Sequence, residues 1–153
     1  MNFDDYIIFT SKIGNILIAT HNERITKTYI TNDTIKYSKN DILKKAKSQI
    51  IEYLEFKRIK FSIKISANGS KFQQKVWKEI TNIPHGCTNT YLDIAKKLKT
   101  SPRAIGRACG MNPILIFIPC HRVISISNKL IGFSAIGGIK TKKKLLNIEK
   151  IKI

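Results

Sequence analysis

Short apolar or alternating runs open the chain, at Tyr6 to Phe9, Ile16 to Ala19 and Thr26 to Ile30. Ser11-Lys12-Ile13-Gly14-Asn15 and His21-Asn22-Glu23 divide them, so the pattern predicts a meander of strands joined by tight turns in a short antiparallel sheet. The period then lengthens. Asn40 or Asp41 caps a helix whose apolar positions Ile42, Leu43, Ala46, Ile50, Tyr53 and Leu54 share one face, and that face is expected to cover the sheet. Phe61, Ile63 and Ile65 alternate as a strand or an extended linker. Nothing before Ser66 carries chemistry, and His21 reads as a turn residue.

The small, polar Ser66-Ala67-Asn68-Gly69 marks a boundary, giving domains at 1–66 and 67–153. Beyond it, Ser70 with Gln73 forms a capping box ahead of the helical stripe Phe72, Val76, Trp77 and Ile80. Trp77 belongs to the core, and Ile83-Pro84-His85-Gly86 ends the helix in a turn with His85 structural or solvent-facing. Thr90 caps a helix from Tyr91 to Lys99 with Leu92, Ala95 and Leu98 inward. Ser101-Pro102 starts another that runs to Gly110. Two short helices joined by a tight turn describe a helix-turn-helix with Arg103 and Arg107 on its second helix. Asn112, held out of the helical region by Pro113, leads into an apolar strand Ile114 to Ile118. A turn-bearing excursion over 125–132 and a loop over 133–138 follow. The last helix, Ile139 to about Ile148, packs Leu145 and Leu146 inward and exposes Lys140, Lys142, Lys143 and Lys144. The fold class expected is α/β: a small N-terminal α/β domain plus a mostly helical C-terminal domain containing the helix-turn-helix.

Charge sharpens this picture. Among 153 residues, 28 Lys and Arg oppose 10 Asp and Glu, a formal net charge of +18 that makes a polyanion the expected partner. Cys87, Cys109 and Cys120 form no CxxC, which indicates neither a zinc site nor a disulfide framework and fits a reducing cytoplasm. Cys109 reads as apolar filler on its helix. Acidic residues at the N-terminus and the lack of a long apolar run give no sign of a leader or a membrane span.

The candidate chemistry lies in Ile118-Pro119-Cys120-His121-Arg122-Val123. Neighbouring side chains diverge, so His121 would reach the Cys120 thiol through a water, with a third group holding the imidazole. Arg122 or a helix N-terminus would favour the thiolate, the reactive form. Asn112-Pro113, the hydrophobic run and Pro119-Cys120-His121-Arg122-Val123 together resemble the active-site segment of the O6-alkylguanine-DNA alkyltransferases. The similarity extends back through Pro84-His85-Gly86, Thr90-Tyr91 and Arg103-Ala104-Ile105-Gly106, and on through Gly132-Phe133-Ser134 to Leu145-Leu146 and Glu149.

That resemblance implies a cytoplasmic, monomeric DNA-repair protein acting on double-stranded DNA that carries O6-alkylguanine, or also O4-alkylthymine, with no cofactor, metal or membrane. It implies base flipping and a single irreversible alkyl transfer to Cys120. His121 would be the base, Glu149 its carboxylate partner and Asn112 the support of the active-site turn. DNA contacts would come from Tyr91, Ser101, Arg103, which matches an intercalating arginine, and Arg107. Val123, Phe133 and Ser134 would line the base pocket, Phe133 replacing a tyrosine of many members. Glu149 is the only acid after Asp93. The alternative kept open is a non-catalytic DNA-damage sensor of the alkyltransferase-like type, which lacks the reactive cysteine. A cysteine hydrolase leaves the helix-turn-helix unexplained, and a plain regulator leaves Pro-Cys-His-Arg-Val unexplained.

Overall fold

The computed structural model describes residues 4–127 and 133–152. The chain divides into two compact units, Met1–Asn68 with Pro113–Phe117, and Gly69–Asn112 with Ile118–Ile153. The segment 113–117, placed in the second half by the sequence reading, therefore belongs with the first unit.

In the first unit, β1 (Asp5–Ser11), β2 (Gly14–His21) and β3 (Arg24–Thr31) form an antiparallel sheet in that order. Ile7 stands opposite Ile18, and Ile18 opposite Thr28. Side chains alternate between the faces of a strand, yet Ile16 to Thr20 of the central strand are all buried, so both faces are covered. One face meets α1 (Asp41–Leu54), which buries Leu43, Ala46, Ile50, Tyr53 and Leu54. The other carries a small cluster of Ile8, Leu17 and Ala19 flanked by Tyr6 and Tyr29. Asn40 caps α1 by accepting from the N–H groups of Ile42 and Leu43, an arrangement that contributes about 1 kcal/mol. Both sheet edges are blunted: Lys36 exchanges backbone bonds with Ile8, while Ile65 and Ile114 bridge to Ile25 and Thr28 on β3.

The alternating stretch around Phe61 is a linker. Only Ile65 pairs, and Gln49 pins the chain by donating to Ser62 Oγ at 2.8 Å and accepting from its N–H at 2.9 Å. Phe61 lies 5.5 Å from the Tyr53 ring and 4.8 Å from that of Phe117.

The run Ile114 to Ile118 is buried as expected, but it is not a strand. Thr28 donates to the Pro113 carbonyl and accepts from Leu115 N–H, after which Phe117 N–H turns back to the Leu115 carbonyl at 2.9 Å. That bond closes a γ-turn with Ile116 at φ 74°. A β-branched residue in this region stores on the order of 1–3 kcal/mol, which its complete burial opposes. An unbroken apolar run has no period in which such a break could register.

In the second unit, α2 (Lys71–Thr81) starts at the expected capping box, with Ser70 and Gln73 satisfying each other's backbone N–H groups. Trp77 is buried and donates through Nε1 to the Ala108 carbonyl at 2.9 Å, which ties α2 to α4 (Pro102–Gly110). A Cβ on Gly69 would come within 2.6 Å of that indole, so the chain's entry into α2 needs glycine. Helix α3 (Tyr91–Leu98) begins at the Thr90 cap and ends with Lys99 in the left-handed region. Its inner face is Ile94 and Ala95, whereas Leu92 and Leu98 are only half-buried. Just before α3, β4 (Asn89–Thr90) pairs in parallel with β5 (Val123–Ile124), a contact too short to leave a sequence signal.

Helix α5 (Gly138–Ile148) buries Leu145 and Leu146. It also buries Lys142, which is 1% exposed and thus contradicts the reading of a solvated lysine run. Of the excursion expected over 125–132, residues 128–132 lie outside those described. Among the described residues, no helix is long and apolar enough to cross a membrane.

Candidate active site

Cys120 opens a single 3₁₀ turn, Cys120–Arg122, reached through a second tight bend. Pro119, at φ −82° and ψ 63°, lets Cys120 N–H bond back to the Ile118 carbonyl at 2.8 Å. Asn112 secures this bend. Its Nδ2 donates to the Ile118 carbonyl at 2.8 Å and to Cys120 Sγ at 3.2 Å. The thiol is 5% exposed, and burial pushes its pKa up against the opposing pull of the Asn112 bond and the Lys142 charge. The resting sulfur is therefore a neutral thiol, whose chemistry needs a base.

His121 is fully buried, and its Nε2 lies 2.6 Å from Glu149 Oε2. Burial lowers the imidazole pKa, while the glutamate works in the opposite direction. The other carboxylate oxygen, Oε1, accepts from Arg122 Nε at 2.8 Å and from Gly86 N–H at 3.1 Å. Gly86 sits at φ 82°, a conformation that side-chain-bearing residues rarely adopt, so the loop needs glycine to aim that N–H. Arg122 also donates through Nη1 to the Ile83 carbonyl at 2.6 Å. The expectation that Arg122 favours the thiolate is corrected accordingly. Its guanidinium serves Glu149 and the end of α2's turn, because a buried charge must be paired and hydrogen-bonded.

The cation whose charge pulls the thiol down is one the sequence reading placed in solvent. Lys142 Nζ donates to the Val123 carbonyl at 2.7 Å and to Tyr91 Oη at 3.2 Å. Burial lowers its own pKa, and Cys120 and Cys109 oppose that shift. The sequence did hold a signal: Lys142 stands three and four residues before Leu145 and Leu146 and seven before Glu149, on the buried stripe of α5. Tyr91 is held strongly in its neutral phenol form by burial, and burial also pushes Cys109 up to about 12.

A cavity of about 650 Å³ lies beside these groups, bordered by Tyr91, Leu92, Pro102, Arg103, Arg107 and Ser125 among others. Arg103 and Arg107 are exposed at it, and Ser101 is the exposed N-cap of α4, accepting from Ala104 N–H. Val123 is fully buried and Phe133 half-buried; neither borders this cavity among the described residues, and Cys120 and Ser134 do not either. Ser134 instead donates through Oγ to the Gly110 carbonyl at 3.1 Å. The structure thus bonds Asn112 to Cys120 and, at the next residue of the same turn, His121 to Glu149, and it sets Tyr91, Arg103 and Arg107 around one opening. Among the described residues, no group of three or more His, Cys, Asp or Glu could hold a metal ion.

The site is thus centred on a cysteine, with a buried imidazole at the next position of the turn, a buried carboxylate bonded to it, and a helix bearing two exposed arginines in the same unit. Residues 71–151 match the family described as 6-O-methylguanine DNA methyltransferase, DNA binding domain. The chain is 35% identical to the methylated-DNA–protein-cysteine methyltransferase of Mycobacterium tuberculosis strain H37Rv, covering 95% of this chain and 92% of the relative. It is also 35% identical to the constitutive methylated-DNA–protein-cysteine methyltransferase of Bacillus subtilis, covering 99% and 97%. The crystal structure of the M. tuberculosis enzyme in complex with DNA superposes with a TM-score of 0.84 at 35% identity, covering 95% of this chain and 92% of that one. This chain belongs to the methylated-DNA–protein-cysteine methyltransferase family.

Proposed function

We propose that the protein repairs duplex DNA by moving the alkyl group of O6-alkylguanine onto Cys120 Sγ. The observation that carries this reading is the pair of contacts on one turn: Cys120 within 3.2 Å of Asn112, followed directly by a His121 that Glu149 holds at 2.6 Å. Helices α3 and α4 act as the helix-turn-helix, α4 being the recognition helix. Arg103 fills the gap left by the extruded base, while Arg107 and Ser101 meet the backbone. Extrusion costs a few kcal/mol of stacking, which such a wedge offsets in part.

His121 takes the Cys120 proton, through a water, at Nδ1, because Nε2 faces Glu149. The sulfur then attacks the alkyl carbon as the bond from that carbon to guanine O6 breaks, and a proton restores the departing guanine. Tyr91, kept as a phenol, meets the base by donating a hydrogen bond to it, and the proton that His121 took from Cys120 returns through water to the departing guanine. Asn112 steadies the thiolate, and Val123, Phe133 and Ser134 line the base pocket. A thioether has no good leaving group, so each molecule acts once. The first unit supports the second, and the protein works as a monomer.

Cys120 favours this reading over a non-catalytic damage sensor. Cys120→Ala should leave duplex binding intact and abolish loss of the lesion from a duplex carrying O6-methylguanine. Lesion loss that persists in this variant would remove Cys120 from the role.

A further inference from the structure

We propose that the first unit carries an accessory surface for unpaired nucleic acid, centred on Phe56 and Ile59. The two side chains are 61% and 62% exposed, beside the C-terminal end of α1. Phe56 N–H donates to the Tyr53 carbonyl and Lys57 N–H to the Glu52 carbonyl at 2.8 Å, a two-bond helix stop. In that stop the residue at Phe56 must be left-handed, and its φ is 64°. Glycine is the usual occupant, since an L side chain there costs roughly 1–2 kcal/mol. A phenylalanine at this point is strained and leaves most of its ring in water, so neither backbone geometry nor core packing accounts for it.

The surroundings identify the partner. Lys12 donates to the Leu54 carbonyl at 3.3 Å and holds its Nζ 5.4 Å from the Phe56 ring centroid. Lys57 and Lys60 are exposed on the same short segment. Two acids stand nearby, Glu55 paired with Lys57 at 3.3 Å and Glu52 with Arg58 at 3.5 Å, so the four cations Lys12, Lys57, Arg58 and Lys60 leave the patch an excess of two positive charges. A second copy docking here face to face would set lysines against lysines, which disfavours self-association in a chain of net charge +18. An anionic partner meets no such penalty. A flat ring among ammonium groups suits a nucleic-acid strand whose bases are unpaired, because every base offers a face to stack and every linkage a phosphate. The surface takes no part in alkyl transfer, so it stands or falls separately from the activity proposed above.

The test uses the full chain and a fluorescent single-stranded thymidine oligonucleotide free of alkylguanine, followed by anisotropy. Phe56→Gly should weaken this binding by about 5- to 150-fold, the range expected for one lost stacked base. Phe56→Trp should retain it. Because glycine suits φ 64°, the glycine variant should melt no lower than the parent and react equally fast with free O6-benzylguanine. Oligonucleotide affinity unchanged in Phe56→Gly would overturn the proposal. So would a loss confined to binding of phosphatidylglycerol vesicles, which would assign the patch to a membrane.

Discussion

Lys142 and Val123 are joined by a 2.7 Å hydrogen bond from a buried ammonium to a buried carbonyl, and the same Nζ touches the Tyr91 hydroxyl. This bond ties the last helix to the strand that leaves the Cys120 turn and to the first residue of α3. The ammonium also pulls the Cys120 thiol downward against the larger effect of burial.

Removing that charge should make the thiol harder to ionise. In Lys142→Met, the rate of reaction with free O6-benzylguanine, plotted against pH, should move to higher pH, and Lys142→Arg should recover part of the shift. A profile superimposable on the parent's would show that Lys142 acts only as packing.

Glu149 answers three donors, His121, Arg122 and Gly86 N–H, while it is 3% exposed. Glu149→Gln leaves a buried guanidinium without its countercharge, which costs about 3–5 kcal/mol. Urea denaturation should record that loss, and alkyl transfer by the remaining folded protein should slow. A variant as stable as the parent would mean that the network relaxes without its carboxylate.

His121 also sets a pH window for stability. Burial lowers its folded pKa below the ordinary 6.5, so on acidification the unfolded chain takes up the proton first. Stability attributable to His121 is present above pH 6.5 and is lost as pH falls toward the folded value. Melting temperature should decline below that point, and His121→Asn should flatten the decline. An equal slope in both proteins would assign the acid sensitivity to other groups.

Much of the fold was legible because its causes are local. The caps at Asn40, Ser70, Thr90 and Ser101 and the stripes of α1, α2 and α5 depend on residues within a few positions of one another. Asn112, Cys120, His121 and Glu149 could likewise be singled out, through the resemblance that Asn-Pro and Pro-Cys-His-Arg-Val carry. What escaped depends on distant partners. Ile116 bends because Thr28 captures Pro113 and Leu115, Arg122 turns to Ile83 and Glu149, and Lys142 is buried because Val123 and Tyr91 receive it. No window of sequence contains both ends of those bonds.

Asn112 makes two bonds with one amide, to the Ile118 carbonyl and to Cys120 Sγ. Asn112→Ala should cost roughly 1–3 kcal/mol in stability, because a buried acceptor loses its donor. It should also move the reaction with free O6-benzylguanine to higher pH, since the bond to sulfur lowers the thiol's pKa. A variant that loses stability but keeps its pH profile would limit Asn112 to holding the turn.

Arg103 and Arg107 stand exposed at the opening formed with Tyr91. Arg103→Ala should slow repair of a duplex substrate and leave reaction with free O6-benzylguanine unchanged, because the free base needs no extrusion. Duplex affinity should fall as salt rises, through release of counterions. Equal loss on both substrates would move Arg103 from the DNA to the chemistry.

The most direct test is the mass of the peptide containing Cys120 after the protein has met an excess of duplex bearing O6-methylguanine. One added methyl group is expected on that peptide, with one lesion removed per protein molecule and no further repair. Recovery of unmodified protein after the lesions have gone, or the methyl group on Cys109 or Cys87 instead, would contradict it.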